Sequence, residues 1–171
     1  PYVDHVRPGT WQALDEDQFF VLQLRGPATL ASVKASAWCS TEGVGERIPV
    51  RLIDGAQRSE LLKALRLDKE AAKAPLTIAT LACNRRLTAG SKLQLVVGKG
   101  LATPSGVVTK VDKRFEYTVR DAFTAELSCE RENAQAACLP IRPMTVTFSA
   151  PVSWKLASAL RLRGPHEVLK P

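Results

Sequence analysis

The chain has 171 residues, of which 45% are hydrophobic and 24% are charged, and its formal net charge is +7. This is the composition of an ordinary globular protein of one or two domains. No apolar run approaches the ~18 residues that a membrane-spanning helix requires, and the scattered basic residues do not form the dense, aromatic-interleaved patch that is typical of nucleic-acid binding.

The chain begins at Pro1, without an initiator Met or a signal segment, so we expect it to be a piece of a longer protein. Val3 to Pro8 is interpreted as a linker or as the tail of a preceding module. A short helical turn is predicted at Leu30 to Ala35. Strands are predicted where strand-forming residues alternate with polar ones and Gly or Pro ends the run. In chain order these strands are Phe19 to Leu24, Ala37 to Ser40, Arg47 to Ile53, Leu76 to Cys83, Leu93 to Val97 and Arg114 to Val119.

A helical insertion is predicted at about residues 58–73, between the third and fourth of these strands. Its apolar stripe consists of Leu61, Leu62, Leu65 and Leu67. Pro75 ends the segment, because the residue before a proline disfavours the helical conformation. We expect the stripe to cover the flank of the sheet rather than to bind a partner helix.

The strand pattern restarts at Phe123. Residues 144–162 repeat the organisation of residues 20–38, about 124 positions apart: an alternating strand, a small residue followed by Pro, and a short helical turn. Such a repeat indicates tandem β modules. We therefore predict a mainly β protein with one Ig-like β-sandwich domain at 1–119. A second, truncated β domain is predicted at 120–171, since a β-sandwich usually needs roughly 100 residues.

Four cysteines, Cys39, Cys83, Cys129 and Cys138, lack the spacing of a zinc site. Cys129 and Cys138 bracket the polar loop 130–137, which suits a disulfide across a hairpin, and Cys39 is then left to pair with Cys83. Disulfides persist in oxidising compartments, so this pattern predicts a periplasmic or extracellular protein. The alternative is a cytosolic protein with four buried thiols.

No catalytic residue, cofactor or metal site is predicted. His5 and His166 lie in terminal segments and no G-x-S-x-G motif occurs, which argues against a serine hydrolase. The run Asp15 to Asp17 does not provide the separated carboxylate pair of a glycosidase. Gly43 to Gly45 and Gly98 to Gly100 are predicted to be turns, because neither completes a phosphate-loop motif.

Trp11, Trp38 and Trp154 are aromatic side chains that could stack on sugars. Trp38 follows the pattern of a strand beside Cys39, so we place it in the core. Trp154 comes shortly after Pro151, and together with Trp11 it is a candidate contact to a neighbouring domain or a partner.

Several stretches are recognisable beyond these patterns: Pro1 to Val3, Arg7 to Trp11, Gly43 to Arg51, Leu81 to Arg86 and, as the most specific, Phe123 to Met144. Read together, they resemble the bacterial α2-macroglobulins over nearly the whole chain. The resemblance implies a position near the N-terminus of a chain many times longer, within the macroglobulin-like β-sandwiches of that family.

Such proteins are broad-spectrum protease inhibitors of the periplasm, anchored to the inner membrane through lipid. A protease cuts a bait region, and a large conformational change then encloses it. The implied partners are proteases acting on the full-length protein, neighbouring macroglobulin-like domains and, in some members, a penicillin-binding peptidoglycan synthase. The family's Cys-x-Glu-Gln thioester cannot be assigned here, because the nearest match, Cys138 to Ile141, lacks both the Glu and the Gln. The resemblance therefore implies a non-enzymatic scaffold.

Two other readings stay open. The same Ig-like patterning serves adhesin-like or cell-wall interaction modules, which would bind a peptidoglycan synthase or a glycan, and a hydrolase is the third. Fold alone does not assign function.

Overall fold

A computed structural model of the chain describes residues 1–43, 45–139, 141–163 and 168–169. Two units separate between Asp121 and Ala122.

The first unit contains seven strands: β1 (Tyr2–Arg7), β2 (Phe19–Arg25), β3 (Ala37–Thr41), β4 (Ile48–Leu52), β5 (Ile78–Cys83), β6 (Lys92–Val97) and β7 (Lys113–Thr118). They form one antiparallel sheet in the order β1-β2-β5-β4-β3-β6-β7. The sheet nearly closes on itself, which confirms the predicted mainly β fold of the Ig-like β-sandwich class with small helices.

The sheet folds into two leaves at the junction of β3 and β4. These strands pair at only two positions, Trp38 with Pro49 and Cys39 with Ile48. The longer ladders β1-β2-β5-β4 and β3-β6-β7 therefore face each other as the two layers of the sandwich.

The open edges of the two leaves, β1 and β7, approach each other. The Lys113 Nζ donates to the Val3 carbonyl at 3.0 Å, and the Tyr117 hydroxyl donates to the Pro8 carbonyl at 3.1 Å. Burial raises the pKa of Tyr117, so this hydroxyl keeps its proton as a donor. The expectation that Val3 to Pro8 is a linker or the tail of a preceding module is wrong: Val3 to Arg7 belong to β1 of the first unit, and the Val3 side chain is buried in its core.

Alternation along β2 divides the apolar side chains between two cores. Phe20, Leu22 and Leu24 point between the leaves, into the main core, where Leu81, Leu95 and other buried residues of the facing strands meet them. Val21 points to the opposite face of the sheet. Period-two alternation thus gives β2 one fully buried face and a second face that is buried only at Val21.

Three helices lie in the first unit: α1 (Leu30–Ser36), α2 (Gly55–Ala64) and α3 (Asp68–Lys73), followed by a 3₁₀ turn, Pro75–Thr77. The predicted insertion at 58–73 is therefore two helices, because Arg66 adopts a left-handed conformation with φ of 57°. The leucine stripe covers the sheet as expected. Leu62 and Leu67 are buried with Ala71, Val21 and Ile78, and Leu61 and Leu65 pack at the margin of this cluster.

The second unit contains the hairpin β8 (Ala125–Cys129) and β9 (Met144–Phe148), the helix α4 (Trp154–Ala157), and the short pair β10 (Leu162–Arg163) and β11 (Val168–Leu169). Phe123 stacks on Phe148 with ring centroids 6.0 Å apart. None of the four residues of α4 is buried.

The repeat predicted from sequence is present in both units. In each, a strand leads to a helix whose N-cap hydroxyl accepts a backbone hydrogen bond three residues on: Thr29 from Ser32 in α1, and Ser153 from Leu156 in α4. Since Thr29 and Ser153 are 124 positions apart, the repeat extends to the capping residue.

Replacing the cap hydroxyl of α1 should weaken the first unit. Thr29→Ala is expected to lower the free energy of unfolding by about 1 kcal/mol, because the Ser32 amide loses its acceptor. Urea unfolding followed by circular dichroism measures the change. Thr29→Ser retains a hydroxyl and should cost markedly less; equal losses in the two variants would contradict a role for the cap.

Candidate functional site

The first disulfide, Cys39–Cys83, lies in the main core. It joins β3 to β5 across the intervening β4, with 5.9 Å between the Cα atoms. Both cysteines are buried. Because β3 and β5 belong to different leaves, the disulfide fixes the fold of the sheet at the place where the β3–β4 ladder has only two pairs.

The second disulfide, Cys129–Cys138, closes the exposed end of the β8–β9 hairpin, with 5.6 Å between the Cα atoms. The Leu139 amide donates to the Glu130 carbonyl at 2.9 Å, and Arg142 pairs with the Glu130 carboxylate at 3.2 Å. Both predicted pairings are thus confirmed. They fit a protein of an oxidising compartment, extracellular or periplasmic.

The acidic run at Asp15 to Asp17 forms ion pairs at the surface. Arg120 contacts Asp15 at 3.0 Å, and Arg86 contacts Glu16 at 2.7 Å and Asp17 at 3.6 Å. Each pair is largely exposed, and such pairs contribute at most about 1 kcal/mol. The run therefore lies on a charged surface of the first unit, paired with basic side chains.

The three tryptophans occupy different environments. Trp11 is 86% exposed and Trp154 is 83% exposed. The core position predicted for Trp38 is wrong: its ring is only half-buried, and the Arg47 guanidinium lies 4.5 Å from the ring centroid. Strand alternation explains the difference, because Cys39 points into the core and its neighbour Trp38 must point to the other face.

The turn predicted at Gly98 to Gly100 is present at Lys99 and Gly100, and at Gly98 the backbone requires glycine. Gly98 has φ of 155°, and a Cβ there would overlap the Val111 carbonyl oxygen and lie 2.9 Å from the Asp112 Cα. Val44, in the turn predicted at 43–45, lies outside the described residues.

Among residues 1–43, 45–139, 141–163 and 168–169 there is no group of three or more His, Cys, Asp or Glu side chains that could hold a metal ion. His5 Nδ1 lies 3.3 Å from Asp4, at the surface. His166 lies outside the described residues.

No helix in the described part of the chain has both the length and the apolar character needed to cross a membrane.

A groove of about 530 Å³ beside Trp11 is the feature that sequence reasoning missed. It lies between β1 and α2, and its lining includes His5, Arg7, Trp11, Gln12, Phe19 and Leu65. Because Val3 to Pro8 was interpreted as a linker, the strand that forms one wall of this groove was not expected. The signal in the sequence was the Pro8-Gly9-Thr10-Trp11 run, which places a large aromatic ring directly after a tight turn.

An apolar groove of about 410 Å³ lies within the second unit. Phe123, Phe148, Val152, Leu156 and Leu160 line it. Leu156 is well exposed, as is the neighbouring Trp154.

The two predicted contact residues, Trp11 and Trp154, belong to separate units and to separate surfaces. Trp11 lines the mixed polar groove of the first unit, whereas Trp154 begins the exposed helix of the second.

No protein-family model matches the sequence, and no curated protein matches it. A distant structural match is the N-terminal part of the bacterial S-layer protein SbsC. The TM-score is 0.43 and the identity is 13%, over 79% of this chain and 36% of that one. A structure of SbsC domains 1–6 gives a TM-score of 0.43 and 11% identity, over 88% of this chain and 24% of that one. The chain therefore spans about a third or less of the length of these structures.

Proposed function

We propose that the chain is a non-catalytic scaffold segment of a periplasmic bacterial α2-macroglobulin, a protease-trapping inhibitor. The proposal rests on one observation. Each of the two β units contains its own disulfide, and both units repeat one strand–cap–helix pattern 124 positions apart. The stretch Phe123 to Met144 supports the assignment to this family, whereas the other recognisable stretches also suit other bacterial Ig-like modules.

A scaffold role fits the way that the polar groups are used. The acidic run pairs with Arg86 and Arg120, and all four cysteines are oxidised. Tyr117 and Lys113 hold the two edges of the sandwich together. Each of these groups stabilises the fold, which is what a domain needs if it must stay intact while other parts of a trap rearrange.

The test compares this chain with the longer protein that contains it. A protease is titrated with each, and cleavage of a large protein substrate is compared with cleavage of a short peptide substrate. An enclosed protease keeps its active site, so a trap should block only the large substrate.

We expect the isolated 171-residue chain to block neither substrate, because it contains no assigned bait region. The longer protein should block cleavage of the large substrate. Stoichiometric inhibition by the isolated chain would contradict the scaffold role, and failure of the longer protein to protect the large substrate would contradict the trap.

A second candidate function is an adhesin-like or cell-wall interaction module. The exposed Trp154 and Leu156 favour it, together with the net charge of +7. A pull-down from periplasmic extract discriminates between the two: recovery of a peptidoglycan synthase supports the interaction module, and recovery of proteases by the longer protein supports the trap.

A further inference from the structure

The groove between β1 and α2, called the Trp11 groove below, has the volume and the mixed apolar and polar lining of a small-ligand site. Its volume of about 530 Å³ lies within the range of about 300–1,000 Å³ typical of small-ligand sites. Phe19, Leu61 and Leu65 supply apolar surface, and the polar side chains His5, Arg7 and Gln12 also line it.

The indole ring of Trp11 is 86% exposed and projects from the turn that follows β1. The ring lies directly against Gly9: a Cβ at that position would overlap the ring carbons Cζ3 and Cη2. Two hydrogen bonds hold the turn beneath it, from the Gln12 amide to the Gly9 carbonyl at 3.0 Å and from the Gly9 amide to Gln12 Oε1 at 3.1 Å. The ring therefore contacts the backbone at Gly9 and leaves most of its surface open to a ligand.

The polar groups left available around the groove are mostly donors. The Gln12 carbonyl oxygen already accepts from Gly9, which leaves its amide group to donate outward. Both polar ends of Gln18 are engaged, one with the Phe19 carbonyl and the other with the Asp15 amide. Arg7 donates to the carbonyl oxygen of Gln23 at 3.4 Å, the amide group of Gln23 donates in turn to Glu70, and Arg7 forms no ion pair within the described residues. The groove thus combines a flat aromatic surface with donors and a positive charge.

We propose that the Trp11 groove binds a glycan whose pyranose rings carry carboxylate groups. The apolar face of a pyranose ring would stack on the exposed ring of Trp11, since an indole offers a large, rigid apolar surface at low entropic cost. Ring hydroxyls would accept from Gln12, and a carboxylate would accept charge-assisted hydrogen bonds from Arg7. This inference does not depend on the protease-trap proposal, because it concerns a surface of the first unit alone.

A proline-rich peptide fits the groove less well. Such peptides dock in grooves lined by several aromatic rings. Trp11 is the single exposed Trp, Tyr or Phe among the lining residues, since the Phe19 ring is half-buried and the Arg51 guanidinium lies 5.8 Å from its centroid.

The experiment titrates the oxidised 171-residue chain with two matched probes by isothermal titration calorimetry. A hyaluronan hexasaccharide carries a carboxylate on every second ring, and chitohexaose is an uncharged chain of the same number of rings. We expect the hyaluronan probe to bind more tightly, with an affinity that falls as salt is added, because the Arg7 contribution is electrostatic.

Four variants assign the binding to the groove. Trp11→Ala should weaken binding by about tenfold or more, as truncation of an aromatic anchor usually does. Gly9→Ala should also weaken it, because the methyl group displaces the ring; φ of Gly9 is not in the left-handed region, so the backbone can accept alanine. Arg7→Gln should reduce the preference for the carboxylated probe. Tyr2→Ala, at an exposed aromatic residue of the same unit that does not line the groove, is the matched control and should bind as the unsubstituted chain does.

Circular dichroism of each variant checks that the fold persists, and Gly9→Ala tests the site even if Trp11→Ala lowers stability. Absence of binding to both probes would overturn the proposal, as would equal affinity for the two or undiminished binding by Trp11→Ala. Binding of a proline-rich peptide at Trp11 in place of either glycan would assign the groove to a different partner and would equally overturn it.

Discussion

Removing the buried disulfide by the double substitution Cys39→Ala/Cys83→Ala is expected to lower the free energy of unfolding of the first unit by about 4 kcal/mol. The bond closes a loop with a sequence separation of 44 residues, so its loss restores much conformational entropy to the unfolded chain. The two leaves also lose their covalent link where their ladder is shortest. Urea unfolding followed by tryptophan fluorescence and far-ultraviolet circular dichroism measures the loss.

The matched control is Cys129→Ala/Cys138→Ala in the second unit. Its loop has a sequence separation of 9 residues, for which the same relation gives about 2.5 kcal/mol. That loss should be confined to the transition of the second unit. An unchanged transition of the first unit after loss of Cys39–Cys83 would contradict the structural role assigned to the buried disulfide.

Phe20→Ala is expected to destabilise the first unit by about 4 kcal/mol, the typical cost of truncating a buried phenylalanine. The Phe20 side chain is 0% exposed. Its ring centroid lies 5.5 Å from that of Tyr117, which belongs to β7, the edge strand of the facing leaf. The substitution leaves a cavity between the leaves and removes a contact that joins them. Equilibrium unfolding in urea gives the change.

The adjacent residue provides a control of the same chemistry. Phe19 points to the other face of β2, is half-buried and packs near Arg51. Phe19→Ala should therefore cost about 1 kcal/mol, near the centre of the distribution for point substitutions. Equal losses at positions 19 and 20 would mean that the register of β2 differs from the one described, since a shift by one residue exchanges the two faces.

These two experiments examine the framework on which both functional proposals stand. A scaffold domain has to stay folded in an oxidising compartment, and the buried disulfide with the core around Phe20 supplies that stability. The Trp11 groove also depends on the folded sandwich, because β1 forms one of its walls. A variant that unfolds the sandwich would abolish glycan binding for a trivial reason, whereas Gly9→Ala perturbs the groove alone.

Much of the architecture could be predicted from the sequence because its determinants are local. Alternation identified β2, β5, β6 and β7 to within one or two residues. The strand–cap–helix repeat was equally visible, since a small residue, a proline and a hydroxyl residue at the cap need no tertiary context. The polar loop between Cys129 and Cys138 pointed to their pairing, and the other pair followed from it.

Other features depended on contacts between residues far apart in the chain. Val3 to Pro8 was misread because an edge strand is short and gains its order from pairing with β2 and from hydrogen bonds donated by Lys113 and Tyr117. The helical insertion breaks at Arg66, where no proline or glycine in the sequence predicts a break. The leucines on either side still reach the outer face of the sheet, so packing favours two helices over one.

The amino-acid sequence alone therefore established the class of fold, the covalent pairing of the cysteines and the repeat, because periodicity, turn chemistry and loop length act over a few residues. Only the tertiary structure decided which face of a strand each ring occupies and where a groove opens. Trp38 lies outside the core because the neighbouring Cys39 points into it. Trp11 lines a groove because the turn that carries it lies beside β1 and beside α2, a helix distant in the chain.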